Sequence, residues 1–162
     1  MTLTTHMVIA AAVTKKIAAH HPVVGFFAAV ASHYLADAIP HWDYPIRATI
    51  HDGNKEKRRW GDDRALLRRD IGYCALDALL GAAIVLLLIR PSSAAQWLGA
   101  IGAIVGGALP DFLQGLYLSG CALLKPLQKF HDSMHTKIKL GRYPALGIPF
   151  QLGILLTAAF FI

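Results

Sequence analysis

An all-α, integral membrane helical bundle of about five hydrophobic helices is the fold class this sequence predicts. Three observations point to it. The 162 residues are 55% hydrophobic and 16% charged, with a mean hydropathy of +0.45, which is too apolar for an ordinary soluble domain of this size. Apolar stretches recur at 8–19, 23–38, 71–89, 94–118 and 146–162. Three of these stretches carry His or Asp, which cost several kcal/mol in hydrocarbon and usually mark function where they occur.

By length, residues 1–162 form a single domain. The third and fifth stretches come near the roughly 20 apolar residues that a spanning helix needs, and the fourth exceeds it. The first two are shorter and predict a tilted or half-buried hairpin, closed by His20-His21-Pro22 with Pro22 suited to the first turn of the next helix. His6 and Lys15-Lys16 interrupt the first stretch and no small-residue cleavage site follows, so the sequence predicts no cleavable signal peptide. Pro40 and Pro45 end the second helix. The connection over 43–69 is basic, and from 50 to 69 it predicts an amphipathic interfacial helix. Arg90-Pro91-Ser92-Ser93 predicts a tight turn with Ser93 as the next N-cap. Gly99, Gly102, Gly106 and Gly107 give the fourth helix a small-residue face for close helix packing.

The net charge of +6 is unevenly placed. With five crossings, all of the 16 basic residues except Lys15, Lys16 and Arg90 fall in two connections on one side. By the positive-inside rule that side is the cytoplasm, so the predicted location is the inner (plasma) membrane, multi-pass. The basic excess reads as topology and lipid contact, and no nucleic-acid partner is expected. Cys74 and Cys121 have no paired spacing, which suggests neither a disulfide nor a thiolate metal site.

The candidate site begins with Ser32-His33-Tyr34-Leu35-Ala36-Asp37, where His33 and Asp37 share a helix face, and His41 would follow on that face. Asp70 and Asp77 share a face of the third helix. Asp111 follows Pro110, which frees backbone groups and bends a helix. His131 and His135 form a second pair four residues apart, and His6 opens the first helix. Counted from the cytoplasmic ends, His33, Asp77 and Asp111 each lie roughly 10 Å into their helices, and the others lie nearer the same surface. Independent polar accidents would scatter between leaflets. Three groups have plainer readings: His20 and His21 as turn residues, His51-Asp52 as a solvated loop, and buried His or Asp as helix-packing groups. Asp43 is either a ligand or a cap, and Asp132 either a ligand or the partner of a ligating His.

At these residues the chain resembles the YdjM-like membrane-bound metal-dependent hydrolases. Thr5-His6, Ser32-His33-Tyr34-Leu35-Ala36-Asp37 followed by a proline, Leu109-Pro110-Asp111, and His131 with His135-Thr136 carry the likeness. The His-x-x-x-Asp-then-proline element is also similar to that of the zinc-dependent phospholipase C and single-strand nuclease group, which are all-helical phosphodiesterases with a zinc cluster. The Pro-Asp-x-Asp-His element of the YdjM-like proteins is present only as Pro110-Asp111.

The expectation is a metal-dependent hydrolase, a phosphoesterase acting on a membrane lipid or other phosphoester from the cytoplasmic face. His and Asp without thiolates suit two or three Zn²⁺ ions, with Mn²⁺ or Mg²⁺ as alternatives. Asp37 is the expected bridging carboxylate, and His6, His33, His41, Asp111, His131 and His135 are the other ligands. Asp77 or Asp70 would ligate, orient a ligand or accept a proton. The rival readings are a divalent-metal transporter or channel, and a non-catalytic scaffold.

Overall fold

The computed structural model describes residues 1–50 and 58–162. The His51-Asp52 pair and two of the basic residues, Lys55 and Lys57, lie outside the described residues. Six α-helices occur among those described: α1 (Leu3–Ala18), α2 (Pro22–Asp37), α3 (Arg64–Ile89), α4 (Ala94–Leu118), α5 (Lys125–Met134) and α6 (Pro144–Phe160). α3 and α4 are long and apolar enough to cross a membrane, and α6 is apolar but shorter.

The local chemistry sets these boundaries. Pro22 starts α2 after the His20-His21 turn. The Asp63 side chain caps α3 by accepting from the backbone N–H groups of Ala65 and Leu66. α3 ends at Arg90, whose φ of 49° breaks the helix ahead of Pro91. Ser93 then caps α4, as the turn sequence predicts. Of the segment over 50–69, for which an interfacial helix is expected, residues 51–57 lie outside the described residues. Thr49–Ile50 and Arg59–Trp60 pair as two antiparallel strands, and helix begins only at Arg64, so Arg68 and Arg69 sit on the first turns of a continuous α3. The Asp63 cap explains this start, because it satisfies the first free N–H groups well ahead of the apolar run.

α1 is the central helix and packs against α2, α3, α4 and α6. Its neighbours approach closely because the facing positions are small. A Cβ added to Gly106 would lie 2.7 Å from Ala29 Cβ and 3.0 Å from the Phe26 carbonyl oxygen. One added to Gly107 would lie 3.1 Å from the His6 carbonyl oxygen. These glycines hold α2 and α1 against the middle of α4, four residues before Pro110 and Asp111 in the case of Gly106 and Pro110. The core cluster is Met7, Val8, Ala10, Ala11, Ala29, Val85 and Ala103.

Burial is inverted relative to a water-soluble domain. Among the described residues no Ile, Phe or Trp is buried, Leu118 is the one buried leucine, and alanine dominates the interior. Large apolar side chains point outward instead, including Leu76, Leu79, Leu87, Leu146 and Phe160.

Candidate metal centre

Four helices and one loop bring seven side chains together at one end of the bundle. His6 comes from the first turns of α1, and His33 and Asp37 from the last turn and a half of α2. His41 follows α2, Asp111 follows Pro110 within α4, and His131 and His135 lie at the end of α5. The Thr136 N–H donates to the Asp37 carbonyl oxygen at 2.9 Å, which ties the segment after α5 to the end of α2. His6, His33, Asp37, His41 and His131 are buried, and Asp111 and His135 are half-buried.

The centre of the cluster is the Asp37 carboxylate. His6 Nε2 lies 3.1 Å and His41 Nε2 4.0 Å from Oδ1. His131, His33 and His135 place Nε2 at 3.0, 3.3 and 3.3 Å from Oδ2. Asp111 Oδ1 lies 3.7 Å from the Nε2 atoms of both His33 and His131. Three overlapping donor groups result: His6 with His33 and Asp37; His33 with Asp111 and His131; and Asp37 with His41 and His135.

Hydrogen bonding on the outer side of the rings decides what the inner side offers. His33 Nδ1 lies 2.7 Å from the Gly107 carbonyl oxygen, and His41 Nδ1 lies 2.7 Å from that of Ile39. A carbonyl oxygen only accepts, so Nδ1 carries a proton in each ring, which leaves Nε2 as the nitrogen that faces the cluster. His33 Nε2 faces carboxylate oxygens and the Nε2 of His131, 3.4 Å away. The Met1 amino group lies 3.3 Å from Asp37 Oδ1 and 2.7 Å from Asp43 Oδ1, so one cationic group of the chain itself stands in the cluster. Neither ring nitrogen of His6 makes a hydrogen bond, nor does His135 Nδ1. Burial pushes the His135 imidazole down to about 4, which leaves it neutral at pH 7 with its Nε2 available. Outside the helices, burial would raise the Asp43 carboxyl, but a 3.1 Å hydrogen bond with His41 outweighs it and holds Asp43 well below the usual carboxylate range.

The spacing fits a metal ion. Ligands at about 2.0–2.1 Å around a tetrahedral zinc are separated from one another by roughly 3.3 Å. The donor separations here, from 3.0 to 3.7 Å apart from the longer His41 contact, match the edges of such polyhedra. The donors are nitrogen and oxygen only; Cys74 and Cys121 belong to none of the three groups.

Asp77 and Asp70, expected to ligate, to orient a ligand or to accept a proton, belong to none of the three donor groups. Asp77 clamps the start of α1: its carboxylate accepts from the N–H groups of Leu3 (2.6 Å) and Thr4 (3.2 Å) and from the Thr4 hydroxyl (2.6 Å). Asp70 accepts from the N–H groups of Arg47 (2.6 Å) and Ala48 (2.7 Å) and pairs with Arg69. Both carboxylates are consumed in holding backbone that the helices cannot satisfy themselves. Asp132 likewise pairs with Arg58 at 2.5 Å and accepts from Gln128. Sequence reasoning left two features unnoticed: the Gly107 carbonyl as the orienting partner of His33, and Tyr44, whose hydroxyl lies 3.4 Å from Asp77 beside the cluster.

Fold and site together define an all-helical protein whose buried His/Asp cluster could hold a metal ion. No family model matches the chain, and no curated protein and no solved structure is similar to it.

Proposed function

We propose that this protein is a membrane-embedded metal-dependent hydrolase, a phosphoesterase acting on a lipid or another phosphoester at the cytoplasmic face of the inner membrane. The observation that carries the reading is the Asp37 carboxylate. Its two oxygens face different sets of imidazole nitrogens, His6 and His41 on one side and His33, His131 and His135 on the other. A carboxylate divided in this way suits a bridge between two ions. The motifs shared with the YdjM-like hydrolases add support.

The membrane reading rests on the inverted burial. Helix–helix packing through alanine and glycine, with Leu and Phe turned outward, is what hydrocarbon solvent favours and water penalises. Only 11% of the apolar window of α3 is buried, so it is not the core helix of a soluble domain. The five longer helices would form the membrane bundle, with short α5 at its cytoplasmic end. Arg64, Arg68 and Arg69 begin α3, and Lys125 and Lys129 begin α5, at the end that carries the cluster.

In this reading His6, His33, Asp37, His41, Asp111, His131 and His135 hold two or three Zn²⁺ ions, with Mn²⁺ the next choice. When bound, such ions make water acidic enough to attack a phosphoester at neutral pH and neutralise the phosphoryl oxygens. The chain orients the donors. The carbonyls of Gly107 and Ile39 fix the rings of His33 and His41, and the segment at Thr136 fixes His135 over Asp37. Asp43, Asp111 and His135, with side chains 44%, 28% and 22% exposed, mark the side from which a phosphoester reaches the cluster.

The class is tested with wild-type protein loaded with zinc or manganese, assayed on a panel of phospholipids and model phosphodiesters and, in parallel, for metal flux in proteoliposomes. Hydrolysis that a chelator removes and added metal restores is the expected result. Flux without hydrolysis of any substrate would make the protein a transporter built on the same ligands.

A further inference from the structure

Away from the cluster, two grooves meet at the C-terminal end of α1. One, of about 1000 Å³, runs between α1 and α6 past Ile9, Val13, Gly153 and Thr157. The other, of about 450 Å³, lies between α1 and the first half of α4, along Ala11, Ala95 and Ala103. Lys15 and Lys16 line both. Lys15 donates to the Ile162 carbonyl oxygen, and Lys16 is exposed and has no polar partner among the described residues. A pair of ammonium groups at the junction of two apolar slots, on the surface that turns Val13, Phe150 and Phe161 outward, presents one anionic head and two hydrocarbon chains with their complement.

We propose that these grooves bind an anionic diacyl phospholipid, with one acyl chain on each side of α1 and the phosphate on Lys15 and Lys16. The site is distinct from the metal centre. Lys15 and Lys16 follow His6 on the same helix by nine and ten residues, about 14 Å along its axis, so the phosphate sits at the other end of α1 from the cluster. The inference rests on the membrane reading and is independent of hydrolysis.

The test uses full-length protein reconstituted in vesicles of equimolar phosphatidylglycerol and phosphatidylcholine, extracted in mild detergent, with retained lipids counted by native mass spectrometry. Wild type should retain one phosphatidylglycerol in roughly tenfold preference to phosphatidylcholine. K15Q/K16Q should lose the preference. Gly153→Leu and Ala95→Leu fill one groove each and should lower retention with both lysines intact; the Gly153 position has nothing within 4 Å of an added Cβ, so that fold survives. Asp37→Asn should retain lipid like wild type, which separates this site from the metal centre. Equal retention of the two lipids by wild type, or undiminished phosphatidylglycerol on K15Q/K16Q, would overturn the proposal. Retention unchanged by both groove variants would overturn the two-chain placement.

Discussion

Asp37→Asn is expected to lower phosphoester hydrolysis by about two orders of magnitude or more while leaving the helices folded. Losing a group that merely orients a ligand already costs 10–100-fold in typical metal sites, and Asp37 stands at the centre of this one. Its carboxylate is fully buried among five imidazole Nε2 atoms and Asp111 lies behind two of them. Asn has the same shape, but it carries no charge and offers one acceptor oxygen instead of two, so it can no longer serve both sides of the cluster. Activity per folded molecule separates this role from a packing role. A variant that unfolds at lower temperature yet hydrolyses normally once corrected for the folded fraction would make Asp37 a helix-packing residue.

The second large effect is expected at Gly106. A side chain there meets Ala29 Cβ at 2.7 Å and backbone atoms of Phe26 and Val30 at 3.0 and 3.3 Å, all on the facing stretch of α2 and none able to swing aside. Gly106→Val should therefore cost about 1–3 kcal/mol in overpacking and push α2 from α4. The separation would also break the contact between His33 Nδ1 and the carbonyl of neighbouring Gly107, so retained metal should fall together with thermal stability. Gly115→Ala on the same helix is the control. No atom lies within 4 Å of its added Cβ, and replacing Gly by Ala in a helix gains up to about 1 kcal/mol, so stability should hold or rise slightly. Unfolding curves in detergent, with metal content measured on the same samples, read both effects. Wild-type metal content in Gly106→Val would contradict the packing account.

The cluster was legible in the sequence because helical spacing projects residues onto a common face. His33 with Asp37 and His131 with His135 are four apart, and each pair converges as that period requires. Pro110 stands inside a continuous α4, directly before Asp111. Depth alone did not separate Asp77 from Asp111. The two sit at similar heights, but which face of α3 meets α1 depends on tertiary packing, and Gly81 sets it by admitting Thr4 Cα to 2.8 Å of its added Cβ position. Asp77 consequently meets the N-terminus of α1, whose free N–H groups claim it. Among the described residues of the 50–69 segment, the Asp63 cap places a helix start at Arg64, and Thr49 pairs with Trp60 as strand.

The central claim is that convergent imidazole and carboxylate groups exist here to hold metal, and elemental analysis of the purified wild-type protein tests it most directly. The account predicts tightly bound transition metal, two equivalents or more per chain with zinc foremost, because five imidazole nitrogens and a second carboxylate converge on Asp37. Metal well under one equivalent, even after zinc supplementation during expression and purification, would contradict it.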